Sequence, residues 1–293
     1  MSLGAADGEK AYEILLRNSH DMRTAQRLID KKRLFCGDAL VESKNEILRG
    51  EVFLIDYECH PRGILPIWEN ASFAVFDKPA GVLSHPNGRH CKYSLYDEIW
   101  HLYGKSACVA HRLDLETSGL IIVAKNAETT TKFKQLFESR AVEKKYLALV
   151  QGKCETEFAC HEKIGANPEN FIKIRQSVIE NGKESLTEFR RLKYYENLDM
   201  SLVEACPKTG RQHQIRLHLF HMKHRILGDT IYGVKDEIVE QILAKTIDEN
   251  TRKIETGAKR LCLHASEISF KFDGKNYRFE SKIDIEKEFL AAL

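Results

Sequence analysis

The chain has 293 residues, 43% hydrophobic and 30% charged, with a net charge of +2. That is enough for one large domain plus a small one, with the composition of an ordinary soluble globular protein. No apolar run approaches the roughly 18–20 residues of a membrane span, no secretory signal opens the chain, and the near-neutral total announces no global positive field. The eight cysteines contain no C-x-x-C pair, which argues against a thiol metal site or redox motif and for reduced thiols in a cytoplasmic protein.

In chain order, residues 1–20 read as weakly helical, with Tyr12, Leu15 and Leu16 as a modest apolar face. A second helix is predicted over Met22–Leu34 with Asp21 as N-cap. Arg23, Arg27 and Lys31 form a basic stripe on it, and Ala25, Leu28 and Ile29 lie opposite. A short strand and turn follow at Leu34–Asp38, then an alternating strand at Glu51–Tyr57. Pro61–Pro66, with two prolines and a glycine, reads as a linker, so the expected domains are 1–65 and 66–293. Further strands are expected at Ser72–Phe76, Cys108–His111, Leu120–Ala124, Tyr146–Gln151, Thr187–Leu192, Ser201–Glu204, Leu261–Leu263 and Ile268–Phe272. Helices are expected at Ser94–Tyr103, Glu128–Arg140, Gln212–Lys223 and Lys235–Ile247. Because helices do not regularly separate the strands, the pattern favours an α+β fold: a mixed, mainly antiparallel sheet with peripheral helices and a central cleft.

The segment His111-Arg112-Leu113-Asp114-Leu115-Glu116-Thr117-Ser118-Gly119 is the most informative. It is a polar loop between two apolar strands, a rigid mount for a reacting group. Read alone, its carboxylate beside an arginine is equally a structural ion pair. From Ala205 to Gly228 there is no acidic residue, while Lys208, Arg211, Arg216, Lys223 and Arg225 fall inside. Such local basic surface suits phosphate even on a near-neutral chain, though a solvated face reads the same way. His213, His218, His221 and His224 crowd this region. Their spacing does not put all four on one helical face and no thiol or carboxylate lies among them, so no metal site is assigned.

H-R-L-D-L-E-T-S-G-L-I-I-V-A-K-N at His111–Asn126 resembles the catalytic loop of the RluA family of pseudouridine synthases. Blocks similar to that family follow its order: D-K-P-A-G-V-L-S-H-P at 77–86, K-K-Y-L-A-L-V at 144–150, T-G-R-Q-H-Q-I-R-L-H at 209–218, I-L-G-D-T-I-Y-G at 226–233 and R-L-C-L-H-A at 260–265. The resemblance implies a cofactor-free isomerase that detaches uracil from ribose, turns it and rejoins it through a ring carbon. By that resemblance Asp114 is the catalytic carboxylate, Arg216 the partner whose planar fork meets it, and Tyr146 the residue against the target base. Arg112 fills the gap left by the flipped uridine, and His111 and Arg211 contact RNA. Whether Asp114 attacks the sugar or removes a proton from it stays open at this level.

Separately, A-Q-R-L-I-D-K-K-R-L-F-C-G-D and L-R-G-E-V-F-L-I in the first 55 residues resemble a small alpha-L RNA-binding module. This implies RNA docking through Arg23, Arg27 and Lys31. The expected partner is RNA, ribosomal in preference to transfer RNA, with the protein a monomer in the cytoplasm. The chain departs from the family pattern at Leu115-Glu116, in a long charged stretch at 235–259, and at Phe270–Asp273, where His-Pro is missing and only a turn should change. Rival readings are an inactive RNA-binding or ribosome-assembly factor on the same fold, and a hydrolase using the histidines.

Overall fold

The computed structural model describes residues 1–55, 59–86 and 91–293. The chain divides into two compact units, Met1–Glu58 and Cys59–Leu293. Among the described residues no helix is long and apolar enough to cross a membrane.

The first unit runs β1 (Ser2–Lys10), α1 (Ala11–Arg17), α2 (Met22–Asp30), β2 (Leu34–Cys36), β3 (Ala39–Leu40) and β4 (Ile47–Leu54). Its sheet has the order β1-β4-β2-β3. The weak helix expected from residue 1 begins only at Ala11; the residues before it are a strand. Their composition is poor for a strand, but Leu3 and Ala6 are buried in the same cluster as Leu48, Val52 and Leu54. Register shifts against β4 fall at Ser2/Gly4 and Asp7/Glu9, where Gly4 and Gly8 take positive φ. Pairing and burial here override propensity. Asp21 caps α2 by accepting from the Thr24 amide at 2.7 Å, and Ala25, Leu28 and Ile29 are its buried residues. The helix stops at Asp30, earlier than expected, because Lys32 adopts φ 55° and the chain enters β2. Tyr57, the last residue of the strand expected at 51–57, lies outside the described residues.

The second unit opens on a segment tied to its own helix: the amides of His60, Arg62 and Gly63 donate to the Asp97 and Glu98 carboxylates. Then come β5 (Trp68–Glu69), β6 (Phe73–Lys78), α3 (Leu95–Tyr103), β7 (Cys108–Val109), β8 (Ser118–Ala124), α4 (Ala127–Glu138), β9 (Val142–Gln151) and β10 (Glu157–Cys160). They are followed by β11 (Ile164–Ala166), β12 (Gln176–Val178), β13 (Thr187–Tyr195), β14 (Met200–Pro207) and α5 (Gln214–His221). The chain ends with α6 (Asp236–Ala244), α7 (Glu249–Thr256), β15 (Leu263–Phe272), β16 (Lys275–Glu280) and α8 (Ile285–Ala292). Ten strands form one sheet along the path β10-β13-β14-β9-β15-β8-β6-β5, with β16 on β15 and β7 on β8. The fold is therefore α+β, mixed but mainly antiparallel. Within this sheet the β8–β15 pair is the parallel one, at Ser118–His264 and Gly119–Ala265.

The Leu120–Ala124 run has no polar face because the sheet is covered on both sides: Ile121 and Val123 pack in one cluster, Leu120, Ile122 and Ala124 in another. Of the strand expected at 261–263 only Leu263 lies in a strand, β15, which also takes in the whole of 268–272; its first half pairs β8 and its second half pairs β16. Asp273 and Gly274 take φ 46° and 80°, the two-residue turn that a tight hairpin needs. The stretch at 235–259 holds two helices, α6 and α7, instead of one.

Gly119 sits at the branch, with φ +113° and an added Cβ only 2.3 Å from the Ala265 carbonyl oxygen. Gly119→Ala is expected to lower unfolding free energy by at least about 2 kcal/mol, measured by urea titration. A loss below about 0.5 kcal/mol would show that this approach is not a constraint.

Candidate active site

The expected catalytic segment is the loop between β7 and β8, and its shape is fixed from below. Ser84 Oγ donates to the Leu113 carbonyl at 2.7 Å and accepts from the Leu113 amide at 3.0 Å. The Gly81 amide donates to the Leu115 carbonyl. Lys78 is fully buried and its ammonium reaches the carbonyls of Pro79, Val82 and Leu115 at 3.0, 2.7 and 3.3 Å, using its three donors. Burial pulls this lysine down to about 7, with Asp114 opposing and Arg260 adding to the shift. The block at 77–86 is thus the bed of the loop.

Asp114 stands on that loop with its side chain 31% exposed. Its Oδ2 accepts from Arg216 Nη1 at 3.2 Å and lies 3.9 Å from His213 Nε2. Among the described residues Oδ1 takes no hydrogen bond. The structure corrects the expected pairing: Arg216 does not meet Asp114 with its fork. Arg216 Nε and Nη2 each donate to Asp229 at 2.7 Å, and only Nη1 reaches Asp114. Arg216 and Asp229 are 4% and 1% exposed, a buried, bidentate charge pair. Burial alone would push the Asp229 carboxyl up, but Arg216 and the amides of Tyr232 and Ile231 outweigh it and hold it below its usual range.

α5 delivers Arg216. Residues 214–219 of this helix are all buried, and its entry is set by Gln214, whose amide bonds Leu186 O and Thr187 Oγ1 while its oxygen accepts from Thr209 Oγ1 and the Arg211 amide. Ile215 and Leu219 face the core as expected, whereas Met222 is 36% exposed. His218 is fully buried, with its ring nitrogens on Thr187 Oγ1 and Ser185 Oγ. His224 Nδ1 lies 3.2 Å from the Gln151 carbonyl and His221 lies 3.9 Å from Glu162.

His213 was not singled out for this site. Its Nδ1 is 3.1 Å from the Tyr232 hydroxyl. That hydroxyl also accepts from the Gln176 amide at 3.1 Å and lies 3.4 Å from the Gln176 carbonyl. Burial, reinforced by Arg216, drives His213 down to about 4, so the ring is neutral near pH 7.

Tyr146, on β9, is buried in the same cluster as Leu113 and Ile215, the neighbours of Arg112/Asp114 and Arg216. Burial, with the charge of Asp114 adding, raises its phenol well above the ordinary value. Arg112 is exposed, and its charge, after burial, helps lower the pKa of His85. Half-buried His111 accepts at Nε2 from the Ile122 amide at 3.1 Å and its ring lies on Phe137. Burial brings His111 down to about 3. Arg211 Nε donates to the Glu184 carbonyl. Arg23 and Arg27 on α2 of the first unit, and Lys31 just past its end, are exposed. Asp229 and Tyr232 were missed as site residues although their block was singled out; an acid in a run that follows a basic stretch was the available signal.

A family model described as RNA pseudouridylate synthase matches residues 72–221. The chain belongs to the RNA pseudouridylate synthase family. It is of RluA type, as the motif order implied. An RNA pseudouridine synthase of Helicobacter pylori strain J99 is 39% identical over 263 residues, covering 89% of this chain and 87% of its own. A ribosomal large subunit pseudouridine synthase D of Nitrosomonas europaea is 30% identical, covering 71% and 63%. A yeast tRNA pseudouridine(31) synthase is 33% identical, covering 57% and 45%. The solved human RNA pseudouridylate synthase domain containing 1 shares the fold, at 23% identity and a TM-score of 0.60 over 76% of this chain and 86% of its own.

Two predictions follow from the charges in this synthase. Asp229→Asn should cost about 3–5 kcal/mol of stability, read by chemical denaturation, because it strands the buried Arg216. His213 and His264 are held neutral in the fold, His264 at about 3, against about 6.5 when unfolded. The unfolded chain therefore binds more protons below about pH 6.5, and stability falls as pH is lowered, by up to ~1.4 kcal/mol per unit for each. Urea midpoints at pH 7.5 and 5 should differ in that sense, with a shallower fall in His213→Asn. A midpoint independent of pH would refute it.

Proposed function

We propose that this protein converts specific uridines of structured RNA to pseudouridine, with Asp114 as the reacting carboxylate. The observation that carries the reading is the asymmetric hold on Asp114: on a part-exposed loop Oδ2 is taken by Arg216 while Oδ1 has no hydrogen-bond partner among the described residues. A carboxylate so held is aimed and keeps one oxygen available, which suits a ribose carbon that becomes electron-poor as its base departs; glycosidases use carboxylates for the same reason.

In this reaction the bond from ribose C1′ to uracil N1 breaks, the base turns, C1′ bonds to C5, the C5 proton is released and N1 takes up a proton, so the product is an isomer of uridine. The sum is redox-neutral and needs no cofactor. Oδ1 is the atom that acts at the ribose, by attack or by proton removal. Tyr146, kept as the neutral phenol, supplies a flat face for the base. Flipping the nucleotide out costs a few kcal/mol, and exposed Arg112 is suited to hold the opened RNA. Arg211 and the stripe Arg23, Arg27 and Lys31 contribute phosphate contacts, the last three through an alpha-L-like docking module. Ribosomal RNA is the favoured substrate class, supported by the likeness to the Nitrosomonas enzyme, whose name gives the large subunit.

The test is pseudouridine mapping of total RNA from cells lacking this protein, rescued with wild type or Asp114→Asn. Defined sites should vanish and return only with wild type, and their identity separates ribosomal from transfer RNA. Rescue by Asp114→Asn, or no site lost, would instead support an RNA-binding factor without catalysis.

A further inference from the structure

The charged stretch at 235–259 takes no part in the reaction as described, yet one of its residues reaches the catalytic loop. Arg252 on α7 donates through Nη2 to Glu116 Oε1 at 2.5 Å, and Glu116 Oε2 accepts from Thr230 Oγ1 at 3.2 Å. Glu116 is two residues past Asp114, and Thr230 directly follows Asp229. One carboxylate thus links the loop that carries Asp114, the segment that holds Arg216, and α7.

α7 is mounted firmly enough to serve as an anchor. Asp248 caps its start by accepting from the amides of Asn250 and Thr251 at 3.0 Å each. Its end is fixed by the Gly228 amide on the Thr256 carbonyl at 2.8 Å and by Arg225 on the same carbonyl at 3.2 Å. Thr256 is fully buried, and Arg252 lies one turn before it. Arg252 and Glu116 are themselves 27% and 21% exposed, too covered for solvent to screen the pair away. Arg252 Nε is buried without a partner among the described residues, so Glu116 is what compensates this guanidinium.

The backbone next to Asp114 is held from below through the Leu113 and Leu115 carbonyls. Between Leu115 and Ser118, where β8 begins and His264 and Arg260 take hold, the side-chain ties among the described residues are those of the Glu116 carboxylate. We propose that α7 braces the catalytic loop, with Arg252 and Glu116 as positioning residues that set the reach of Asp114 Oδ1. The inference rests on the reading of Asp114 as the reacting carboxylate. Small displacements of a reacting group cost rate steeply, while RNA affinity, set elsewhere by phosphate contacts, should hardly notice.

The test uses the full chain and RNA isolated from cells lacking the protein, carrying tritium at uracil C5. Single-turnover tritium release gives the rate constant, and enzyme titration gives the affinity. Arg252→Met and Glu116→Gln should each slow release about tenfold with affinity within about twofold, and the double variant should be no slower than the slower single, as coupled residues behave. Thr230→Val should slow release less, and Arg252→Lys, which keeps the charge and the helix, should lie between Arg252→Met and wild type. Losses that multiply in the double variant, a weakened affinity at unchanged saturating rate, or rates equal to wild type would each overturn the brace. A wild-type protein that releases no tritium would overturn the isomerase reading, and the positioning role with it.

Discussion

A guanidinium buried to 4% exposure dictates the arrangement around it. An unpaired charge there is untenable, so Arg216 needs a full counter-charge, and Asp229 supplies it through two 2.7 Å bonds. The pair is self-sufficient, which frees the third nitrogen to act on Asp114 without neutralising it. Had the fork closed on Asp114, both carboxylate oxygens would be occupied and neither would be available to a sugar. The division of labour between two aspartates, one closed and one open, is the electrostatic basis of the proposed chemistry.

Everything else in the second unit serves to keep this geometry fixed. The sheet is buried on both faces, so the strand leaving the catalytic loop cannot slide without exposing one apolar set. Lys78 and Ser84 tie down the loop backbone from the block at 77–86, and Gln214 sets the first turn of α5. Three histidines, His111, His213 and His218, are enlisted as hydrogen-bonding groups inside the fold, and the last two belong to the crowded set in the sequence.

Much of this was legible in the residues. The α+β class followed from strands that helices do not separate, β8 was evident from a wholly apolar run, and the helix expected at Glu128–Arg140 is α4, Ala127–Glu138. Motif order brought Asp114, Tyr146 and Arg216 to attention, and all three lie in one region of the second unit. What the sequence hid was long-range. β1 lacks strand formers because its partner β4 imposes its conformation. Asp229 was unreadable as the ligand of Arg216 because a turn of backbone after residue 228, and not helical spacing, brings it there. His111 looked exposed in a polar motif, but the hairpin folds it back onto Ile122. Arg252 sits in a stretch whose composition suggests only solvent, and its reach to Glu116 depends on how α7 is anchored at Thr256.

The parallel contact between β8 and β15 carries a further consequence, for synthesis of the chain. Ser118 and His264 are hydrogen-bonded across 146 residues, and the strand that leaves the catalytic loop has β15 as a lateral neighbour. Closing so long a loop comes late and slowly compared with forming local hairpins. A nascent chain that has reached residue 250 already contains every residue proposed to touch substrate, yet β15, the strand between β8 and β9, is still missing. Completion of the sheet therefore waits on β15, and until that strand arrives β8 and β9 lack the neighbour that lies between them.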